Sequence, residues 1–154
     1  MTTLHFTATT TASPDQLLTA LTDFGPGRSE LFPNSHDDHL TVHDRGADHA
    51  DVTEGSNGTW ERLLYDWSDP DRVVMTTIDS NAWGGRSGHT YTFTPLADGT
   101  TRVDATVVRE GKNLKGRFFA IVFRAFGQAV LGKAFHQTVR AIEARSGTQS
   151  TQSA

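Results

Sequence analysis

Apolar and polar residues alternate from the start of the chain, with Leu4, Phe6 and Ala8 on one side and His5, Thr7 and Thr9 on the other. Period-two alternation rich in threonine predicts a half-buried strand. Ser13-Pro14-Asp15-Gln16 follows and predicts a helix start. Ser13 is placed to cap free N–H groups, Pro14 suits the first helical position, and Gln16 completes a capping box. Leu17, Leu18 and Leu21 form its apolar stripe, and Gly25-Pro26-Gly27 stops it, with room for one more helical turn over Arg28 to Phe32. From His39 to Arg109 the texture becomes short alternating runs separated by turn residues, such as Asp69-Pro70-Asp71 and Asp98-Gly99. That spacing predicts an antiparallel meander with one apolar and one polar face.

The last element has a different period. No proline interrupts Leu114 to Arg145, and Phe119, Val122, Phe126 and Val130 recur at three-and-four spacing, widened by Phe118, Ile121, Phe123, Leu131 and Phe135. Asn113 is a candidate cap. A helix of about 30 residues is roughly 45 Å long, enough to cross a whole sheet. Gly116, Gly127 and Gly132 each cost about 1 kcal/mol against Ala in such a helix, and allow close sheet approach or a bend. After Ser146 the small polar residues 147–154 have nothing to bury and predict a disordered tail, leaving one domain over 1–146.

The chain has 154 residues, 36% of them hydrophobic, with no cysteine. One domain with a real core fits that length. A disulfide scaffold, a thiolate metal site and a cysteine nucleophile are excluded. The N-terminus has neither the basic flank nor the apolar stretch of a secretory signal, and no apolar run approaches the roughly 20 residues of a bilayer span. A cytoplasmic location is the expectation. Charge changes the picture most. Residues 1–108 carry six Arg and no Lys against 16 Asp+Glu, a local charge of −10, whereas residues 109–154 carry eight Lys+Arg against two Glu, a local charge of +6. An acidic body joined to a basic helix argues against nucleic acid as partner, since most of the chain repels phosphate.

Three segments carry a resemblance. Thr11-Ala12-Ser13-Pro14-Asp15-Gln16-Leu17 looks like a family's first-helix start, Tyr65 to Val73 like its strand–turn–strand, and Phe93 to Val103 like its penultimate hairpin. With the element order, they resemble the START-like (SRPBCC, Bet v 1-like) superfamily, nearest its bacterial polyketide cyclase/dehydrase and lipid-transport branch. The resemblance implies an α+β helix-grip fold. A curved seven-stranded antiparallel sheet would wrap the long C-terminal helix, with two short helices after strand 1 and a cavity between sheet and helix. The matching residues specify fold, not chemistry.

A hollow lined by apolar residues gains about 25 cal/mol for each Å² of apolar ligand surface removed from water. The same residues would equally serve a filled core. The expected lining is Leu63, Tyr65, Trp67, Met75, Trp83, His89, Tyr91, Phe93, Val107 and Arg109 from the sheet side, with Phe119, Val122, Phe123 and Phe126 from the helix. For residues 60–67 a register with Trp60, Arg62 and Leu64 inside stays open, as does the choice of face in 73–79. Trp83, among Gly84, Gly85 and Gly88, is either a gate or a packed turn residue. The catalytic candidates are His89, Glu61, Asp79 and Arg109, a general acid or base plus a cation for an enolate. His39 and His43 share a strand face about 13 Å apart, too far for one ion, so no metal site and no cofactor is expected.

Three functions compete. The first is binding of a small hydrophobic or amphipathic ligand such as a lipid, isoprenoid or polyketide. The second is a cyclase, aromatase or dehydratase in the same cavity, and the third is a protein-interaction module using the basic helix. The residues favour a binder over an enzyme. Lys112, Lys115 and Arg117 beside Phe118 to Phe123 suit at most transient membrane contact. Monomer and homodimer are both open.

Overall fold

The computed structural model describes residues 1–33, 35–56 and 58–152, with side chains to Gly147. β1 (Thr2–Thr10) leads into α1 (Pro14–Leu21), α2 (Arg28–Leu31) and a single 3-10 turn at Asp37–His39. The meander follows: β2 (Thr41–Arg45), β3 (His49–Ser56), β4 (Thr59–Asp66), β5 (Arg72–Ser80), β6 (Gly88–Pro95) and β7 (Thr101–Arg109). The chain closes with α3 (Leu114–Gln152), which continues past Ser146. The sheet has seven strands in the order β1-β7-β6-β5-β4-β3-β2, all neighbours antiparallel. This is the expected helix-grip architecture.

Local sequence explains much of it. Ser13 Oγ accepts from the Gln16 N–H at 3.2 Å while Gln16 Oε1 accepts from the Ser13 N–H at 2.9 Å, a complete capping box. In β4, Leu63 and Tyr65 point inward with Glu61, and Trp67 just beyond continues the face, which closes the alternative register: Trp60 and Leu64 are exposed. In β7, Val103, Ala105, Val107 and Arg109 share the buried face.

Asp79 corrects a sequence expectation. Val73, Met75 and Thr77 point inward, so strict alternation would carry Asp79 with them. The β4–β5 register instead jumps from Leu63↔Thr77 to Arg62↔Asp79, leaving Ile78 as an extra residue. A bulge of this kind reverses the alternation. Asp79 therefore faces solvent, 3.3 Å from Lys112 Nζ, and Ser80 takes the buried position.

The position of α3 is set by its smallest residues. Asn113 Oδ1 accepts from the Gly116 N–H at 2.8 Å, capping the helix. A Cβ on Gly116 would lie 2.0 Å from the Ala82 carbonyl oxygen, and one on Gly127 3.0 Å from Leu4. Gly116→Ala should therefore lever the start of α3 off the sheet. An expected loss of about 1–3 kcal/mol would show as a lower urea midpoint. By length and composition α3 also contains a stretch long and apolar enough to cross a bilayer, contrary to the sequence reading. Arg124 and Lys133 interrupt that run without lowering its average enough to exclude it. The same helix packs one face against β1.

Candidate functional site

A cavity of about 300 Å³ lies between the sheet and α3. Its apolar wall includes Phe6, Leu63, Met75, Val107, Phe123 and Phe135. Pro33 lines it and is exposed, so the cavity opens to solvent on that side.

One polar pole is built from β4, β5, β6 and β7. The Arg109 guanidinium holds Glu61 through both carboxylate oxygens, at 2.8 Å and 3.0 Å, and Thr77 Oγ1 donates to Glu61 Oε2 at 2.9 Å. Arg109 also donates to His89 Nε2 at 2.9 Å and lies 5.1 Å over the Trp83 ring. Burial is the largest single effect on Glu61 and would raise its pKa, but electrostatic interactions with Arg109 and His89 and the hydrogen bonds from Thr77 and Arg109 together outweigh it and hold the carboxyl below its ordinary value. Burial, followed by the Arg109 charge, pushes His89 down to about 4.

His89 is therefore a neutral imidazole at pH 7. Arginine can only donate, so Nε2 is the acceptor and Nδ1 carries the proton. Among the described residues Nδ1 has no partner, and no buried side-chain polar atom lacks one. Nδ1–H must then face open space, and His89 lines the cavity. The Tyr91 hydroxyl is in the same position, likewise without a protein partner and lining the cavity. Burial raises its pKa to about 12, so it too keeps its proton.

This arrangement has a pH signature. Below about pH 6.5 the unfolded chain protonates His89, whereas the folded chain does so only near pH 4. The unfolded state binds more protons in that window, so stability falls as pH drops from 6.5 toward 4, by roughly 3 kcal/mol from this group. Glu61, whose folded pKa is depressed, adds loss of the same sign at the acid end. Urea midpoints measured from pH 7.5 to 4.5 should decline, and His89→Gln should flatten the upper part of that decline.

A second polar pole escaped the sequence reading. Arg28, only 3% exposed, donates from Nε to Glu54 Oε1 at 2.5 Å and from Nη2 to the Tyr65 hydroxyl at 3.0 Å. Its Nη1 donates to the carbonyls of Leu21 and Asp23. Tyr65 donates to Glu54 Oε2, and Ser35 Oγ donates to Oε1 at 3.1 Å. Glu54, Ser35 and Tyr65 line the cavity. One signal was available: Glu54 continues the inward parity of Ala50 and Val52 in β3. Arg28 had none, because its partners are 26 and 37 residues away.

Of the expected lining, Leu63, Tyr65, Met75, Trp83, His89, Tyr91, Val107, Arg109 and Phe123 do line the cavity. Phe93 is fully buried in the core, and Trp67 is buried away from the cavity with its indole N–H donated to the Ala47 carbonyl. Phe119 packs on Trp83 outside the cavity, 6.4 Å between ring centres. Val122 and Phe126 are exposed and do not line the cavity. The helix is apolar nearly all round its first half, so periodicity alone could not select a face. Leu131, Ala134, Phe135 and Thr138 take the inward positions instead. Trp83 is no gate: it is buried, and its loop is pinned by the Trp83–Gly111 bridge and by Lys112 N–H donating to the Ala82 carbonyl. Asp79 takes no part, and of the four catalytic candidates Glu61, His89 and Arg109 meet.

A seven-stranded antiparallel sheet gripping one long helix around a lined hollow defines a START-like, SRPBCC protein. The chain belongs to the polyketide cyclase / dehydrase and lipid transport family, whose model matches residues 1–146. The fold of that family is a hydrophobic ligand-binding one. Solved structures share it at low identity. TTHA0849 from Thermus thermophilus is 17% identical, with 97% of this chain and 99% of that one covered and a TM-score of 0.73. The Zhui aromatase/cyclase from Streptomyces sp. R1128 is 15% identical, with 95% and 93% covered and a TM-score of 0.71. A START superfamily protein from Mycobacterium smegmatis is 12% identical, with 96% and 98% covered and a TM-score of 0.67. No curated protein matches the sequence.

Proposed function

We propose that this protein binds a small, mainly apolar molecule that presents one hydrogen-bond-accepting oxygen, such as a carbonyl, to His89 and Tyr91. One observation carries the reading: His89 Nδ1–H and the Tyr91 O–H line the cavity without a protein partner, while both lining carboxylates are held by arginines. At about 300 Å³ the hollow sits at the small end of ligand pockets, roughly 300–1,000 Å³. That favours one compact ring system or short isoprenoid over a lipid with two acyl chains.

A cyclase, aromatase or dehydratase is the second reading, supported by the family's description and by the aromatase/cyclase title of one structural relative. The donor pair would polarise a carbonyl, as an enolate-forming reaction requires. A base is harder to find, because the lone pair of His89 Nε2 and the oxygens of Glu61 are occupied.

Titration with 2-acetylnaphthalene and 2-ethylnaphthalene separates carbonyl recognition from simple apolar burial. The ketone should bind about tenfold more tightly, the worth of one or two hydrogen bonds. His89→Phe with Tyr91→Phe should erase that preference while leaving the hydrocarbon bound. Equal affinity for the two compounds in the wild type would refute the donor role. Turnover of a polyketide substrate that His89→Phe abolishes would favour the enzyme.

A further inference from the structure

The face of α3 turned away from the sheet is used by neither pole. On that face Leu114, Phe118 and Ile121 are each between 63% and 83% exposed, and Phe126 and Val130, nearer the sheet, are 65% and 64% exposed. At about 100° per residue, Leu114, Phe118, Ile121, Ala125 and Ala129 fall in one stripe opposite Gly116, Phe123 and Gly127, which face the sheet side. The same geometry puts Arg117 and Arg124 on one flank and Lys115 and Lys133 on the other. Arg117, Arg124 and Lys133 are exposed and, among the described residues, make no ion pair. No acidic residue occurs between Glu110 and Glu143.

From this we infer that the outer face of α3 docks flat on an anionic phospholipid surface. An apolar stripe with cations on both flanks lies in the plane of a membrane interface, its aromatic side chains below the headgroups and its Lys and Arg reaching the phosphates. Composition agrees, since the stretch of α3 apolar enough to span a bilayer is only 17% buried in the protein. Contact with β1 keeps it lying on the surface instead: Gly127 on the opposite face meets Leu4, and Gln128 Nε2 donates to the His5 carbonyl. The charge of −10 on residues 1–108 turns the body away from anionic lipid and so selects this approach. Charge also disfavours a second copy as the occupant. Stripe against stripe would set Arg and Lys against Arg and Lys, with no carboxylate to compensate. This docking does not depend on what fills the cavity.

The test is co-sedimentation of the full chain with phosphatidylcholine vesicles, with and without 30 mol% phosphatidylglycerol (roughly the anionic content that gives a strong surface potential). Binding is expected to the anionic vesicles alone and to weaken as salt rises. Phe118→Ser with Ile121→Ser should abolish it. Arg117→Glu, Arg124→Glu and Lys133→Glu together should weaken it more than about 100-fold, at roughly fivefold per cation. Should the apolar variant unfold by circular dichroism, the charge-reversed one still decides. Absence of binding to anionic vesicles overturns the inference, as does binding that neither variant changes. A dimer by light scattering that Ile121→Asp dissociates, without vesicle binding, assigns the face to a second copy and overturns it too.

Discussion

Replacing Arg28 by Met is expected to destabilise the protein by about 3–5 kcal/mol, the cost of stranding one member of a buried ion pair. The guanidinium serves Glu54, the Tyr65 hydroxyl and the carbonyls of Leu21 and Asp23 together, and lies 4.7 Å over the Phe24 ring and 4.5 Å over that of Phe32. Methionine keeps some of the packing but leaves Glu54 without a cation and two carbonyls without donors. Against a typical domain stability of about 5–15 kcal/mol, such a loss is a large fraction of the whole. The urea midpoint should fall accordingly, with the slope of the transition unchanged. Arg28→Met combined with Glu54→Gln should regain part of the loss by removing the stranded charge. A single variant within about 1 kcal/mol of wild type would contradict the buried pairing. Because this cluster ties α2 to β3 and β4 beside the cavity, partial unfolding there should also raise ligand dissociation rates.

Ala134→Trp is expected to remove ligand binding with much less effect on the fold. Ala134 lines the cavity from α3, as Leu63 and Met75 do from the sheet. An indole there occupies space that a ligand needs and makes contacts the ligand would otherwise make. A fall in affinity for 2-acetylnaphthalene of more than about 100-fold, near 3 kcal/mol, is expected by calorimetry. The urea midpoint should hold or rise, since filling an apolar hollow restores lost packing contacts. Unchanged affinity would place the ligand elsewhere, and a collapse in stability would show that the cavity has no spare volume.

Legibility differed between elements for reasons that particular residues show. The Ser13/Gln16 capping box, the inward set Glu61, Leu63 and Tyr65 with Trp67 just beyond, and the Val103-to-Arg109 face all follow from a period carried within a single segment. So does the polar pole in part: Glu61, His89 and Arg109 each extend an apolar face, and a face shared across paired strands brings them together. Asp79 failed because a bulge belongs to the pairing of two strands, not to the pattern of one. Val122 and Phe126 failed because a helix apolar on most sides has no preferred inner face until the sheet chooses the one with Gly116 and Gly127.

By itself the sequence determined the order of elements, the orientation of most strands, and an acidic body joined to a basic helix. Each is a local property, set by side-chain period, capping or charge count along a contiguous stretch. Only the tertiary structure decided that Arg28 meets Glu54, that His89 has a proton to offer the cavity, and which half of α3 is left bare. Those depend on burial and on partners distant in sequence, because a buried charge is tolerated only where its counter-charge is brought to it.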